Sequence, residues 1–227
     1  MAFNLQTFKT RTLTAIVFAM VMLVGLLWNA WSFLILFTII HFGCWYDFIK
    51  LLKKINPQKF GYYLPLGLIY ITMPVLMMIY IRTGFFYSGG YVSETLLKIF
   101  PCMIIFSIWI NDTMAYIVGS LIGKTPLSKI SPKKTWEGTL GGGMLCVLAI
   151  GLLSKLFPIG GIISIMIPII CAIFGTLGDL LESKLKRMAQ VKDSGSIMPG
   201  HGGFLDRFDS LLIATPFVWL YVYFFMR

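Results

Sequence analysis

Residues 161–187 read GIISIMIPIICAIFGTLGDLLESKLKR. Up to Leu181 the stretch carries one charged residue, Asp179, and its length matches the roughly 20 residues that a helix needs to cross a bilayer. Lys184, Lys186 and Arg187 then crown its end. The segment therefore predicts a membrane-spanning helix with a basic inner end.

Further apolar runs lie at about 13–30, 32–49, 62–81, 94–123, 138–157 and 208–226. Only Asn29, Ala30 and Trp31 separate the first two, which predicts a tight turn. The run at 94–123 is too long for one straight span and is interrupted by Asn111-Asp112, so we expect one crossing built from two helical pieces. Of the 227 residues, 58% are hydrophobic and 12% charged, with a mean hydropathy of +0.84. One soluble core could not hide that much apolar surface. The four cysteines, Cys44, Cys102, Cys146 and Cys171, lie in or beside apolar runs without a CxxC pair and read as packing residues. The first run has no small-residue cleavage site and reads as a retained span.

The net charge is +10, with 19 Lys+Arg against 9 Asp+Glu. Because the basic residues sit between apolar runs, they suit lipid headgroups or phosphorylated substrates rather than nucleic acid. They also alternate. Lys9 and Arg11 precede the first run; Lys50, Lys53, Lys54 and Lys59 follow the second. Lys124, Lys129, Lys133 and Lys134 follow the fourth; Lys184, Lys186, Arg187, Lys192 and Arg207 follow the sixth. The other connections hold only Arg82. Positive residues stay inside. The expected fold is all-α: a polytopic membrane helical bundle of about seven transmembrane spans, N-terminus cytoplasmic. We expect a single domain over 1–227, with N-terminal spans in 1–110 and a catalytic half in 111–227.

Seven of the nine acidic residues fall between 112 and 209. A carboxylate near membrane depth is costly unless it faces a cation. Asp47 and Glu94 read as helix-end carboxylates at the interface. Asp179 and Ser183, four apart, share a helix face. A hard cation such as Mg²⁺ takes one or two carboxylates and keeps several waters. The basic crown after Asp179 fits phosphate or simply the interface. The polar run from Val191 to Asp209 contains Lys192, Asp193, His201 between glycines, and Asp206-Arg207-Phe208-Asp209. Its glycines let backbone N–H groups approach phosphate. Asp206 can complete a metal site with Asp179; Asp209 reads as an orienting carboxylate or a helix N-cap. His201 reads as a proton donor or phosphate hydrogen-bonder. Ser131-Pro132-Lys133-Lys134-Thr135-Trp136-Glu137-Gly138 suits a triphosphate, or a plain basic loop before a small-residue packing face.

Together, Ser183-Lys184-Leu185-Lys186-Arg187, Lys192-Asp193-Ser194-Gly195, Pro199-Gly200-His201-Gly202-Gly203 and Asp206-Arg207-Phe208-Asp209 resemble the hallmark pattern of the phosphatidate cytidylyltransferases, or CDP-diacylglycerol synthases. Residues 131–138, Asp112-Thr113-Met114-Ala115-Tyr116 and Arg11-Thr12-Leu13-Thr14-Ala15 also look like that family. The resemblance is long and gapless over 178–210 and looser over the first hundred residues, where a pair of spans is expected to be missing or compressed. It implies transfer of CMP from CTP to phosphatidate with Mg²⁺, at the cytoplasmic face of a bacterial inner membrane. It assigns the metal to Asp179 and Asp206, and it adds a second, monovalent metal such as K⁺ and a homodimer. Asp179, Asp206, Lys192, His201 and Arg207 are then the expected catalytic residues. Lys133, Lys134, Ser183, Lys186, Arg187, Asp112, Asp193 and Asp209 are the expected substrate-binding ones. Competing readings are a CTP-dependent lipid or polyprenol kinase, a related CDP-lipid synthase, and a transporter or membrane scaffold.

Overall fold

The computed structural model describes residues 5–84, 94–156, 161–197 and 202–225, and side chains from residue 12 onward. The described residues form helices α1 (Leu5–Leu27), α2 (Ala30–Ile55), α3 (Phe60–Gly67), α4 (Met73–Thr83), α5 (Glu94–Ile122), α6 (Trp136–Leu153), α7 (Ile163–Met188) and α8 (Leu205–Phe225). A π-helical turn at Leu68–Thr72 joins α3 to α4. It follows Pro65, whose missing N–H removes a helical hydrogen bond. Among the described residues there is no strand; Pro126 and Thr135 form an isolated bridge.

Among the described residues, six helical stretches are long and apolar enough to cross a membrane: Ala30–Ile55, Phe60–Thr83, Glu94–Ile122, Trp136–Leu156, Ile163–Met188 and Leu205–Phe225. The shorter apolar part of α1, Thr12–Leu27, corresponds to the first expected run. The all-α membrane bundle read from the sequence is thus the fold observed, with six long spans beside the about seven expected. Two local expectations meet different outcomes. Asn29 caps α2 and shares a capping box with Ser32, which makes the tight turn after α1. By contrast, α5 is one continuous helix of 29 residues rather than two pieces. Asn111 and Asp112 lie inside it, and Asn111 Nδ2 donates to Asp112 Oδ1 at 3.4 Å. Polar side chains leave the backbone ladder intact. At 1.5 Å per residue α5 is about 44 Å long, so it overreaches a hydrocarbon core of about 30 Å.

The chain forms two compact units, residues 1–72 with 185–208 and residues 73–184 with 209–227. In the first, α1 and α2 pack closely where Gly25 meets Leu36, and Phe33 stacks on Phe37 at 4.4 Å between centroids. The Phe204 ring lies over Gly43, and the Trp45 ring over Gly67. Both sites leave no room for a Cβ. In the second, α5 and α6 meet backbone to backbone. A Cβ at Gly142 would stand 2.5 Å from the Ala115 nitrogen, and one at Gly138 2.8 Å from the Gly119 Cα. This is the small-residue packing that lets membrane helices approach. Leu140, Met144, Leu148 and Leu152 recur every four residues along α6 and are exposed, a lipid-facing stripe. Arg82, in the last turn of α4, is buried and pairs with Glu94 at 3.5 Å, which offsets its charge. All four cysteines are free and buried, as packing residues should be.

Candidate active site

In the second unit, α7 and α8 bring three carboxylates together. One oxygen each from Asp179, Glu182 and Asp209 lies within 4.8 Å of the others. Glu182 is fully buried and Asp209 is 7% exposed. The close approach of the two helices follows from Gly178, where an added Cβ would stand 2.5 Å from the Asp209 carbonyl oxygen. Three like charges so close repel one another strongly in a poorly solvated place, and a cation relieves that. One is already present: Lys134 makes an ion pair with Asp179 Oδ2. Ser183 Oγ donates to Asp179 Oδ1 at 3.3 Å. Asp112 lies within electrostatic reach of Lys134 and Asp179. An all-oxygen donor set of this kind fits a hard divalent ion such as Mg²⁺.

The segment before α6 delivers Lys134 to this place. The Leu127 N–H donates to the Lys134 carbonyl at 2.7 Å, and the Trp136 N–H to the Thr125 carbonyl at 2.9 Å. Glu137, in the first turn of α6, closes the segment by accepting from the Lys124 and Thr125 amides and from Thr125 Oγ1 at 2.8 Å. Thr135 caps α6 by accepting from the Gly138 N–H at 3.1 Å. Lys133 is exposed beside it.

In the first unit, Asp206 organises the polar run after α7. Its Oδ2 accepts from the Ser194 N–H, Ser194 Oγ and the Gly203 N–H, each at 2.8 Å, and its Oδ1 from Lys186 Nζ at 2.7 Å. The run starts where α7 stops. Gln190 takes φ 53°, and the Val191 N–H reaches back to the Lys186 carbonyl at 2.9 Å, which satisfies an end carbonyl of the helix. Arg187, Lys192, Asp193 and Arg207 are exposed around it. His201 lies outside the described residues.

Two expectations about carboxylates need correction. Asp209 does not cap α8, because the helix begins at Leu205, a full turn earlier. It joins Asp179 and Glu182 instead. Asp47 is no interfacial helix end: it is fully buried, with Oδ2 accepting from the Leu205 N–H at 3.1 Å. Glu182 was assigned no role from sequence, although its spacing of three from Asp179 puts both on one face of α7.

An all-helical membrane protein with clustered carboxylates and a lysine-bearing loop has the parts for handling nucleotide phosphates. The comparisons narrow this. The Cytidylyltransferase family profile matches residues 71–225, and the chain belongs to that family. The phosphatidate cytidylyltransferase of Bacillus subtilis (strain 168) is 42% identical over 161 residues, 69% of this chain and 56% of the relative. The enzyme of that name from Staphylococcus saprophyticus is 44% identical over 146 residues, 63% of this chain and 55% of the relative. The one from Synechocystis is 47% identical over 117 residues, 51% of this chain and 40% of the relative. The chain thus spans about half the length of the curated relatives it matches.

Proposed function

We propose that the chain is a phosphatidate cytidylyltransferase, acting at the cytoplasmic face of a bacterial inner membrane with its N-terminus on the same side. It works as one integral membrane domain whose chemistry lies in residues 111–227. The observation that carries this is the carboxylate cluster of Asp179, Glu182 and Asp209 beside Lys134, in a chain of the cytidylyltransferase family.

In the reaction, a phosphatidate phosphate oxygen attacks the α-phosphorus of CTP. The bond from that phosphorus to the β-phosphate oxygen breaks and pyrophosphate leaves. The nucleophile is already anionic near neutral pH, so no strong base is needed. The difficulty is bringing two anions together, and positioning plus charge neutralisation supplies the catalysis. Asp179, Glu182 and Asp209 offer oxygens to Mg²⁺, which when bound would offset charge on the reacting phosphates. The motif resemblance gives Asp206 a share in holding metal. Lys134, paired here with Asp179, would be released to pair with a phosphate if a cation took its place at the carboxylates. Lys133, Lys186, Arg187, Lys192 and Arg207 offset the remaining charge, with Ser183, Asp112 and Asp193 binding substrate and His201 donating a hydrogen bond. A second, monovalent ion such as K⁺ and a homodimer complete the proposal by resemblance.

The test is product analysis with purified protein, phosphatidate, Mg²⁺ and CTP labelled at the α-phosphate. The expected result is label in the lipid and release of pyrophosphate. Release of labelled CDP with unlabelled lipid would make the chain a CTP-dependent kinase instead.

A further inference from the structure

Asp47 stands on α2, ahead of the stretch that the family profile covers. Its carboxylate is fully buried, and it holds both ends of the polar run that carries Asp206. At one end, Oδ2 accepts from the Leu205 N–H at 3.1 Å. At the other, Ser194 Oγ lies 3.4 Å from the same oxygen and 2.8 Å from Asp206 Oδ2. Ser194 has one hydroxyl proton, which it gives to Asp206 at the shorter distance or turns to Asp47 at the longer, so the hydroxyl links the two carboxylates. Glycines flank the Asp47 side chain. A Cβ at Gly195 would collide with Asp47 Oδ1, and one at Gly203 with Asp47 Oδ2 and, at 2.6 Å, with Ser194 Oγ. At Gly195 the carboxylate itself fills the space of a side chain; at Gly203 it does so together with Ser194 Oγ and the Gly195 nitrogen, 2.7 Å from such a Cβ.

A buried carboxylate is an expensive way to fill a core, since an aliphatic side chain would pack there without desolvation. Its hydrogen bonds are what an aliphatic residue could not supply. We propose that Asp47 is a positioning residue for cytidylyl transfer: it clamps residues 194–195 to residues 203–205 and so fixes Asp206, whose oxygens gather Ser194, Gly203 and Lys186. This rests on the function proposed above.

The test pairs turnover with amide hydrogen exchange in the purified protein. In Asp47→Ala, exchange at the amides of residues 194–197 and 202–205 rises about tenfold while α5 and α6 are unchanged. Turnover, kcat, falls about a hundredfold, the scale of a misplaced group, while KM for CTP moves less than about threefold. Asp47→Asn keeps an acceptor for Leu205 and restores most of kcat. Gly195→Ala alone lowers kcat comparably, and the double variant Asp47→Ala/Gly195→Ala is no worse than Asp47→Ala, because the three atoms nearest a Cβ there all belong to the Asp47 carboxylate. Unchanged exchange in Asp47→Ala overturns the clamp. Raised exchange with normal kcat overturns the positioning role. If Asp47→Ala does not fold, Asp47→Asn and Gly195→Ala decide: normal kcat in Gly195→Ala overturns the proposal. A wild-type protein without cytidylyl transfer sinks the function itself, a result distinct from either.

Discussion

Asp179 stood out in the sequence because a lone acid near the end of a 21-residue apolar run has few structural excuses. Glu182, three residues on and just before Lys184, Lys186 and Arg187, shares its helix face but was assigned no role from the sequence. Its full burial next to Asp179 and Asp209 gives it the stronger claim to a metal. Asp179→Asn and Glu182→Gln should each lower cytidylyl transfer at least about a hundredfold, measured as label incorporated into lipid. Activity within about threefold of wild type in both would remove the cluster from the mechanism. Asp47 was illegible for a simple reason. Its partners Ser194 and Leu205 lie 147 and 158 residues further along the chain, and no local pattern encodes such a contact.

The helices were legible from hydropathy because a bilayer forces length and composition together. Their ends and interruptions were less so. Asn111-Asp112 looked like a break, yet side-chain polarity does not remove a backbone hydrogen bond, and α5 runs through. The α5–α6 contact was legible only as a small-residue packing face at the start of α6; in the structure Gly138 and Gly142 lie against the backbone of α5. Gly142→Leu should therefore wedge these helices apart. We expect a loss of about 1–3 kcal/mol, read as a lower midpoint of thermal unfolding in detergent, with Gly151→Leu as an open-space control. An equal midpoint shift in both would show that the α5–α6 approach is not the cause. At the start of α6, Glu137→Gln should loosen the segment that carries Lys134 and raise KM for CTP more than it lowers kcat.

Taken together, the alternating basic connections and the apolar spans argue for one orientation in the bilayer. A single cysteine replacing Lys129 should react with a membrane-impermeant reagent only after cells are opened, whereas one replacing Ile162 should react from outside. The native cysteines are buried and should stay silent. The reverse pattern would invert the topology and put the lysine loop on the wrong side for CTP.

The central claim is that the clustered carboxylates hold a divalent cation, and binding of Mn²⁺ followed by paramagnetic resonance reads this without any turnover. Wild-type protein should bind Mn²⁺ in competition with Mg²⁺, and Asp179→Asn and Glu182→Gln should each weaken that binding at least about tenfold. Equal Mn²⁺ affinity in the wild type and both variants would contradict the account.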